Sequence, residues 1–132
     1  MKITVAVFNT NDDLVELLRA AIEKAGFVAV TGHIDDARRG TLLLSAFVSE
    51  HDPKVIVYDI APPYEQHWHF FQHVREQPYM QGRQFVLTST NVERARETAG
   101  IDEPIYEIVG KPYDIDQLVS AIKEASRARS IR

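Results

Sequence analysis

The 132-residue chain contains no cysteine, which excludes disulfides and thiolate metal sites. It contains no apolar run approaching the length of a bilayer span, so no membrane crossing is expected. It has no surplus of positive charge. Fifteen Lys and Arg stand against 19 Asp and Glu, for a net charge of −4, which argues against broad nucleic-acid binding by the body of the domain. The one basic cluster is Arg127-Ala-Arg129-Ser-Ile-Arg132 at the end. Neither a Walker A nor a GxGxxG motif occurs, and the loop after the first apolar run has no glycine. A nucleotide- or flavin-binding reading is therefore disfavoured. Met1-Lys2-Ile3-Thr4-Val5 enters a strand at once and lacks the charged-then-apolar layout of a signal peptide, so a cytoplasmic protein is expected. No internal repeat, low-complexity segment or internal linker is found.

What is present is a chain that is 45% hydrophobic, ordinary for one globular domain with a full core. The expected organisation is a domain over residues 1–126 and a basic C-terminal tail over 127–132. Short β-branched runs alternate with amphipathic stretches. Strands are expected at Ile3–Phe8, Phe27–Ile34, Val55–Tyr58, Gln84–Thr88 and Ile105–Val109. Helical spacing of apolar residues follows each of them. The first helix carries Leu14, Leu17, Leu18, Ala21, Ile22 and Ala25 and closes at Gly26. Asp35 to Gly40 reads as a loop or ragged helix start, and Leu42–Val48 as a helix stopping before Pro53. A third helix between Tyr64 and Gln77 turns Trp68, Phe71 and Val74 inward, and Pro78 ends it. Capping-box spacing places helix starts at Thr10 to Asp13, at Thr90 to Glu93 and at Asp114 to Gln117. Five strand–helix alternations imply an α/β fold with a parallel sheet, helices on both faces and right-handed crossovers. For five strands the flavodoxin-like order 2-1-3-4-5, with five helices, is the expected answer.

Val55-Ile-Val-Tyr58 runs straight into Asp59, and Pro62-Pro63 follow closely. A run of this kind reads as a strand buried on both faces. Its aspartate then lies at the carboxyl edge of the sheet, where open α/β folds place their chemistry. Thr88 and Lys111 end two further strands, so the three should converge. A carboxylate, a hydroxyl and an ammonium around one crevice suit phosphoryl chemistry. The carboxylate can act as nucleophile, and the other two can hold phosphate oxygens. Pro112 pins the backbone so that Lys111 points back over the sheet edge.

With those residues in place, the sequence resembles the receiver domain of two-component response regulators over essentially its whole length. Val55-Ile-Val-Tyr-Asp59-Ile-Ala-Pro-Pro63 is similar to the family's phosphoacceptor strand. Phe85-Val-Leu-Thr88-Ser89 is similar to its fourth strand, with a conformational-switch hydroxyl and a small residue after it. Lys111-Pro112-Tyr113 is similar to its Lys-Pro-aromatic signature, whose peptide bond before the proline is cis. The resemblance implies a phosphoprotein of the phosphorelay, with Asp59 as phosphoacceptor and Thr88 and Lys111 as its partners. The module would not itself be an enzyme. It would work with a histidine kinase or phosphotransfer protein and a downstream protein, or as a homodimer. In this family the presented surface is formed most often by the fourth helix, fifth strand and fifth helix. Nothing after the last helix is long enough for an output domain, so a stand-alone module is expected.

The chain departs from the family at the cation site. The adjacent acidic pair that holds Mg²⁺ with the phosphoacceptor falls here on Asn9 and Thr10. Asp12 and Asp13 are better read as first-turn helix residues facing the dipole. Asp59, Asn9 and the Ala61 carbonyl would make a weak Mg²⁺ site. Two unit charges ~4 Å apart interact by roughly 4 kcal/mol at an effective dielectric near 20, so losing two carboxylates beside a divalent cation removes several such contributions. Asp59 is expected to stay ionised and to pair with Lys111. The family's aromatic switch falls on Ile108, and Tyr106 lies one pleat repeat away. His69 and His73 are four apart and share a helix face, but no third ligand stands at metal spacing, and solvated surface histidines are the expectation. Tyr64, His67 and Trp68 flank the Asp59 crevice as a lid or partner-contact surface. The competing expectation to a phosphorelay module is a phosphorylation-independent pseudo-receiver that serves as a protein-binding scaffold.

Overall fold

The computed structural model describes residues 2–40, 42–99, 105–107 and 112–127. Along the chain these form β1 (Thr4–Asn9), α1 (Asp12–Lys24), β2 (Val28–His33), α2 (Ile34–Arg39), α3 (Leu44–His51), β3 (Val55–Asp59) and α4 (Tyr64–Arg75). A 3-10 turn follows at Pro78–Met80, and then come β4 (Gln84–Ser89), α5 (Val92–Ala99), β5 (Ile105–Glu107) and α6 (Pro112–Arg127). The strands make one five-stranded sheet in the order β2-β1-β3-β4-β5. Every pairing is parallel, as the alternation of strands and helices implies.

The core follows from the period of two along each strand. Val55 and Val57 of β3 face one side with Val5 and Val7 of β1, against Leu18 and Ile22 of α1 and Leu118 and Ile122 of α6. Ile56 and Tyr58 face the other side with Ala6 and Phe8, against Val48 of α3 and Trp68, Phe71 and Val74 of α4. All five residues of β3 are buried, which is why that run shows no polar alternation. Tyr58 meets Phe71 with ring centroids 4.9 Å apart and Phe8 at 6.3 Å. On β2, Gly32 makes room for this packing, because a Cβ there would stand 2.8 Å from Phe8 Cε1 and 2.9 Å from Leu42 Cδ2. Among the described residues no helix is long and apolar enough to cross a membrane.

The described residues contain six α-helices, one more than expected. The segment between β2 and β3 holds two. His33 Nδ1 accepts from the Asp35 amide and caps α2, and Gly40, at φ 80°, ends it. The charged Asp35–Arg39 stretch is therefore a helix of its own, and α3 runs Leu44–His51, shifted from the expected Leu42–Val48. Helix starts also differ. Asn11, not Thr10, caps α1 by accepting the Leu14 amide at 3.1 Å. Asn91, not Thr90, accepts the Arg94 amide at 3.1 Å and caps α5. Helix α6 begins at Pro112, which puts Asp114 in its first turn. In the first two cases the hydroxyl-to-acid spacing is present, but the asparagine amide one residue later takes the capping position, which it fills as well as Ser or Thr. Gly26 follows the Ala25 cap at φ 99°, as a C′ glycine should. Helix α6 continues through Arg127, so the first residue assigned to the tail is helical. Residues 128–132 lie outside the described residues.

Candidate functional site

The strand order reverses its direction between β1 and β3, so the crevice of this sheet opens at their carboxyl ends. Asn9 ends β1 and Asp59 ends β3. The register pairs His33 with Asn9, Phe8 with Tyr58, Asp59 with Thr88 and Thr88 with Tyr106. One row therefore crosses the sheet as His33, Asn9, Asp59, Thr88 and Tyr106. In a parallel ladder registered residues share a face, and this row shares its face with α1 and α6. The expected convergence of Asp59 and Thr88 is present. Lys111 and Ile108 lie outside the described residues, as does the peptide bond before Pro112. The cis X-Pro bond among the described residues is Pro62-Pro63.

Asp59 is 2% exposed and Thr88 fully buried. The Thr88 hydroxyl donates to Asp59 Oδ1 at 2.8 Å. Burial pushes the Asp59 carboxyl from 3.8 up to about 6, and the Thr88 hydrogen bond pulls against that rise. Desolvation disfavours the charged form and exceeds what one hydroxyl returns. Asp59 thus ionises not far below neutrality rather than in the ordinary carboxylate range. Ser89 adds a second tie between β4 and the Asp59 loop, donating its hydroxyl to the Ile60 carbonyl at 2.8 Å. The Ile60 amide donates to the Thr88 carbonyl, also at 2.8 Å. In the sequence Ser89 stands out only as a small residue. Its hydroxyl has no signal beyond its position after Thr88.

Asn9 is 1% exposed. Its Oδ1 accepts from the Thr10 amide at 2.7 Å and the Asn11 amide at 2.9 Å, an Asx-type turn that closes the β1–α1 loop. Its Nδ2 is buried with no partner among the described residues. The oxygen expected to face a cation is thus engaged by two backbone donors, and the free end of the side chain is a donor. Ala61 is 8% exposed and can offer a carbonyl alone. Among the described residues no group of three or more His, Asp or Glu stands close enough to hold a metal ion. Of the side chains that end β1 and β3, only Asp59 is a carboxylate, the smallest acidic set through which Mg²⁺ binds, and Asn9 offers no second one.

The lid expectation is corrected for two of its three residues. Trp68 is 4% exposed and belongs to the core with Phe71 and Tyr58. His67 is 2% exposed, so it is neither solvated nor part of an open lid. Trp68 thereby meets the other expectation for it, an inward face shared with Phe71 and Val74, while His67 lies against Arg38 of α2. Tyr64 is half-buried, with the Arg94 guanidinium 5.7 Å from its ring centroid. His69 and His73 are exposed as expected.

A scan against protein families finds no match, and no curated protein matches. Solved structures do. The chemotaxis response regulator CheY4 of Vibrio cholerae matches with a TM-score of 0.66 at 16% identity, over 95% of this chain and 99% of that one. A response regulator from Thermotoga maritima matches at 0.69 and 16% identity, over 97% and 100%. A CheY-like response regulator receiver domain from Methylobacillus flagellatus matches at 0.67 and 17% identity, over 95% and 99%. The fold of this chain is that of the CheY-like receiver domains, across nearly its full length.

Proposed function

With the receiver fold as premise, we propose that the chain is a signalling module of the two-component type that acts by binding proteins, without cation-assisted phosphorylation of Asp59. The observation that carries this reading is Asn9. Its carboxamide occupies the place of an acidic cation ligand, its oxygen is engaged by two backbone amides, and its nitrogen is a donor. Mg²⁺ affinity is accordingly weak. Asp59 then serves the shape of the carboxyl edge, tied to β4 through Thr88. The module has no catalytic activity of its own. Its partners are a histidine kinase or phosphotransfer protein and a downstream protein, met as a monomer or a homodimer in the cytoplasm. The surface presented is that of α5, β5 and α6. There an open groove of about 570 Å³ is lined by Tyr106, Asp116, Gln117, Ser120, Lys123 and Arg127.

A second reading has its own support. Asp59 ends the central strand beside a hydroxyl donor 2.8 Å away, the arrangement expected of a phosphoacceptor and its switch residue, with Lys111 as the third member. Incubation with acetyl phosphate and Mg²⁺, followed by intact-mass measurement, separates the two. No adduct is expected. Stoichiometric labelling that disappears in Asp59→Asn would establish the second reading and overturn the first.

A further inference from the structure

One titratable side chain has no part in the Asp59 crevice, and its surroundings fit a single protonation state. His67, in the first turn of α4, is 2% exposed. Its Nε2 lies 3.3 Å from Nη1 of Arg38 on α2. A guanidinium only donates, so Nε2 accepts, and the ring proton of neutral His67 sits on Nδ1. Nδ1 is buried with no partner among the described residues. Protonating the ring turns Nε2 from an acceptor into a donor. Two N–H groups and two positive charges then face each other across the same 3.3 Å. The contact is compatible with the neutral imidazole alone.

The charges that act on the ring come from α2. Burial disfavours the imidazolium most, Arg38 adds to that, and Asp35, three residues earlier on the same helix, opposes both. His67 therefore holds its proton less tightly than the ordinary imidazole value of 6.5. From the sheet, Tyr58 of β3 is a phenol that burial keeps neutral. From α4 itself, Gln66 is neutral, and Glu65 and His69 are exposed. Helix α2 is six residues long, too short to persist on its own hydrogen bonds. Ile34 and Ala37 seat it on the core, and His33 caps its start. Toward α4, its hydrogen bonds among the described residues are those of Arg38, to His67 and to Gln66 Oε1 at 3.1 Å.

We propose that Arg38 and His67 form an acid-released latch between α2 and α4, closed while the ring is neutral and open once it is protonated. The proton and the guanidinium compete for one lone pair on Nε2, so binding either expels the other. The open form binds the proton more tightly than the closed one. The latch is therefore at full strength well above about 6.5 and weakens as the pH falls through that value. Opening leaves Ile34 and Ala37 on the core and frees the exposed Arg38 side chain from α4. Asp35 remains as the counter-charge to the imidazolium. The latch is separate from the Asp59 crevice and stands whichever reading of Asp59 holds.

The test is a titration of the full chain from about pH 8 to about pH 5. It follows the ring ¹⁵N signals of His67, the guanidinium signals of Arg38 and the side-chain amide of Gln66. In the parent the Arg38 signals should move with the His67 midpoint, which lies below the ordinary imidazole value. Arg38→Gln, at an exposed position, removes the facing charge and should shift the His67 midpoint upward, a change that a merely structural role would not produce. Asp35→Asn should shift it downward. His67→Gln keeps an acceptor that does not titrate, so the Arg38 signals should stay flat across the range. Arg38 signals that ignore the His67 midpoint overturn the proposal. So does an unchanged or lowered midpoint in Arg38→Gln, or a parent-like Arg38 response in His67→Gln. Should His67→Gln fail to fold, the midpoint in Arg38→Gln decides alone.

Discussion

The Thr88 hydroxyl and the Asp59 carboxylate are registered partners of β4 and β3, and they are joined by a 2.8 Å hydrogen bond in a buried setting. That bond stabilises the ionised form of a carboxyl that burial otherwise holds neutral. The balance between the two effects sets how the fold responds to pH.

Asp59→Asn is expected to stabilise the fold at neutral pH. Because the carboxyl is raised in the folded state, its contribution is fully present below 3.8 and is lost as pH rises through about 6. The loss amounts to roughly 3 kcal/mol. The amide has no such loss and still accepts from Thr88. Urea unfolding of the parent and of Asp59→Asn from pH 4 to 8 checks this. The stability difference should open in favour of the variant between about pH 4 and 6, and stay level above that window. A constant difference across the whole range would rule out burial of the carboxylate as the cause.

Thr88→Val keeps the shape and removes the donor. The Asp59 carboxyl should then titrate above its present value of about 6. The variant should be destabilised by roughly 1–3 kcal/mol at pH 8, and by less at pH 4, where the carboxyl is neutral. Carboxyl ¹³C titration and denaturant unfolding measure the two effects separately.

Asn9→Asp places a second carboxylate in the row beside Asp59 while still accepting from the Thr10 and Asn11 amides. Without cation the two like charges should destabilise the variant. Millimolar Mg²⁺ should raise its melting temperature and leave that of the parent almost unmoved. Equal Mg²⁺ stabilisation of both chains would show that the parent already holds the ion.

Asn11→Ala and Asn91→Ala should each cost about 1 kcal/mol, and Thr10→Ala and Thr90→Ala close to nothing. Thermal unfolding of the four variants checks the capping assignments directly.

The sheet is legible in the sequence because its strands are buried. Val55–Tyr58 is apolar without a break, and each of the five strands ends within a few residues of its expected place, β5 as far as Glu107. The pairing of Asp59 with Thr88 follows from parallel register alone. The helix starts are less legible. Thr10 and Asn11 both satisfy capping chemistry, and only the backbone decides between them. Helix α2 is hidden because six residues carrying four charges show little apolar periodicity. The burial of His67 is hidden too. It depends on α2 packing over the first turn of α4, a contact between segments 29 residues apart that no local pattern records.

Tyr58 and Asp59 are consecutive, and the pleat sends them to opposite sides of the sheet. The phenol ring lies between Phe8 and Phe71 in the core, and the carboxyl lies on the face of α1 and α6. A single peptide unit is thus the partition between an aromatic layer and the polar carboxyl edge.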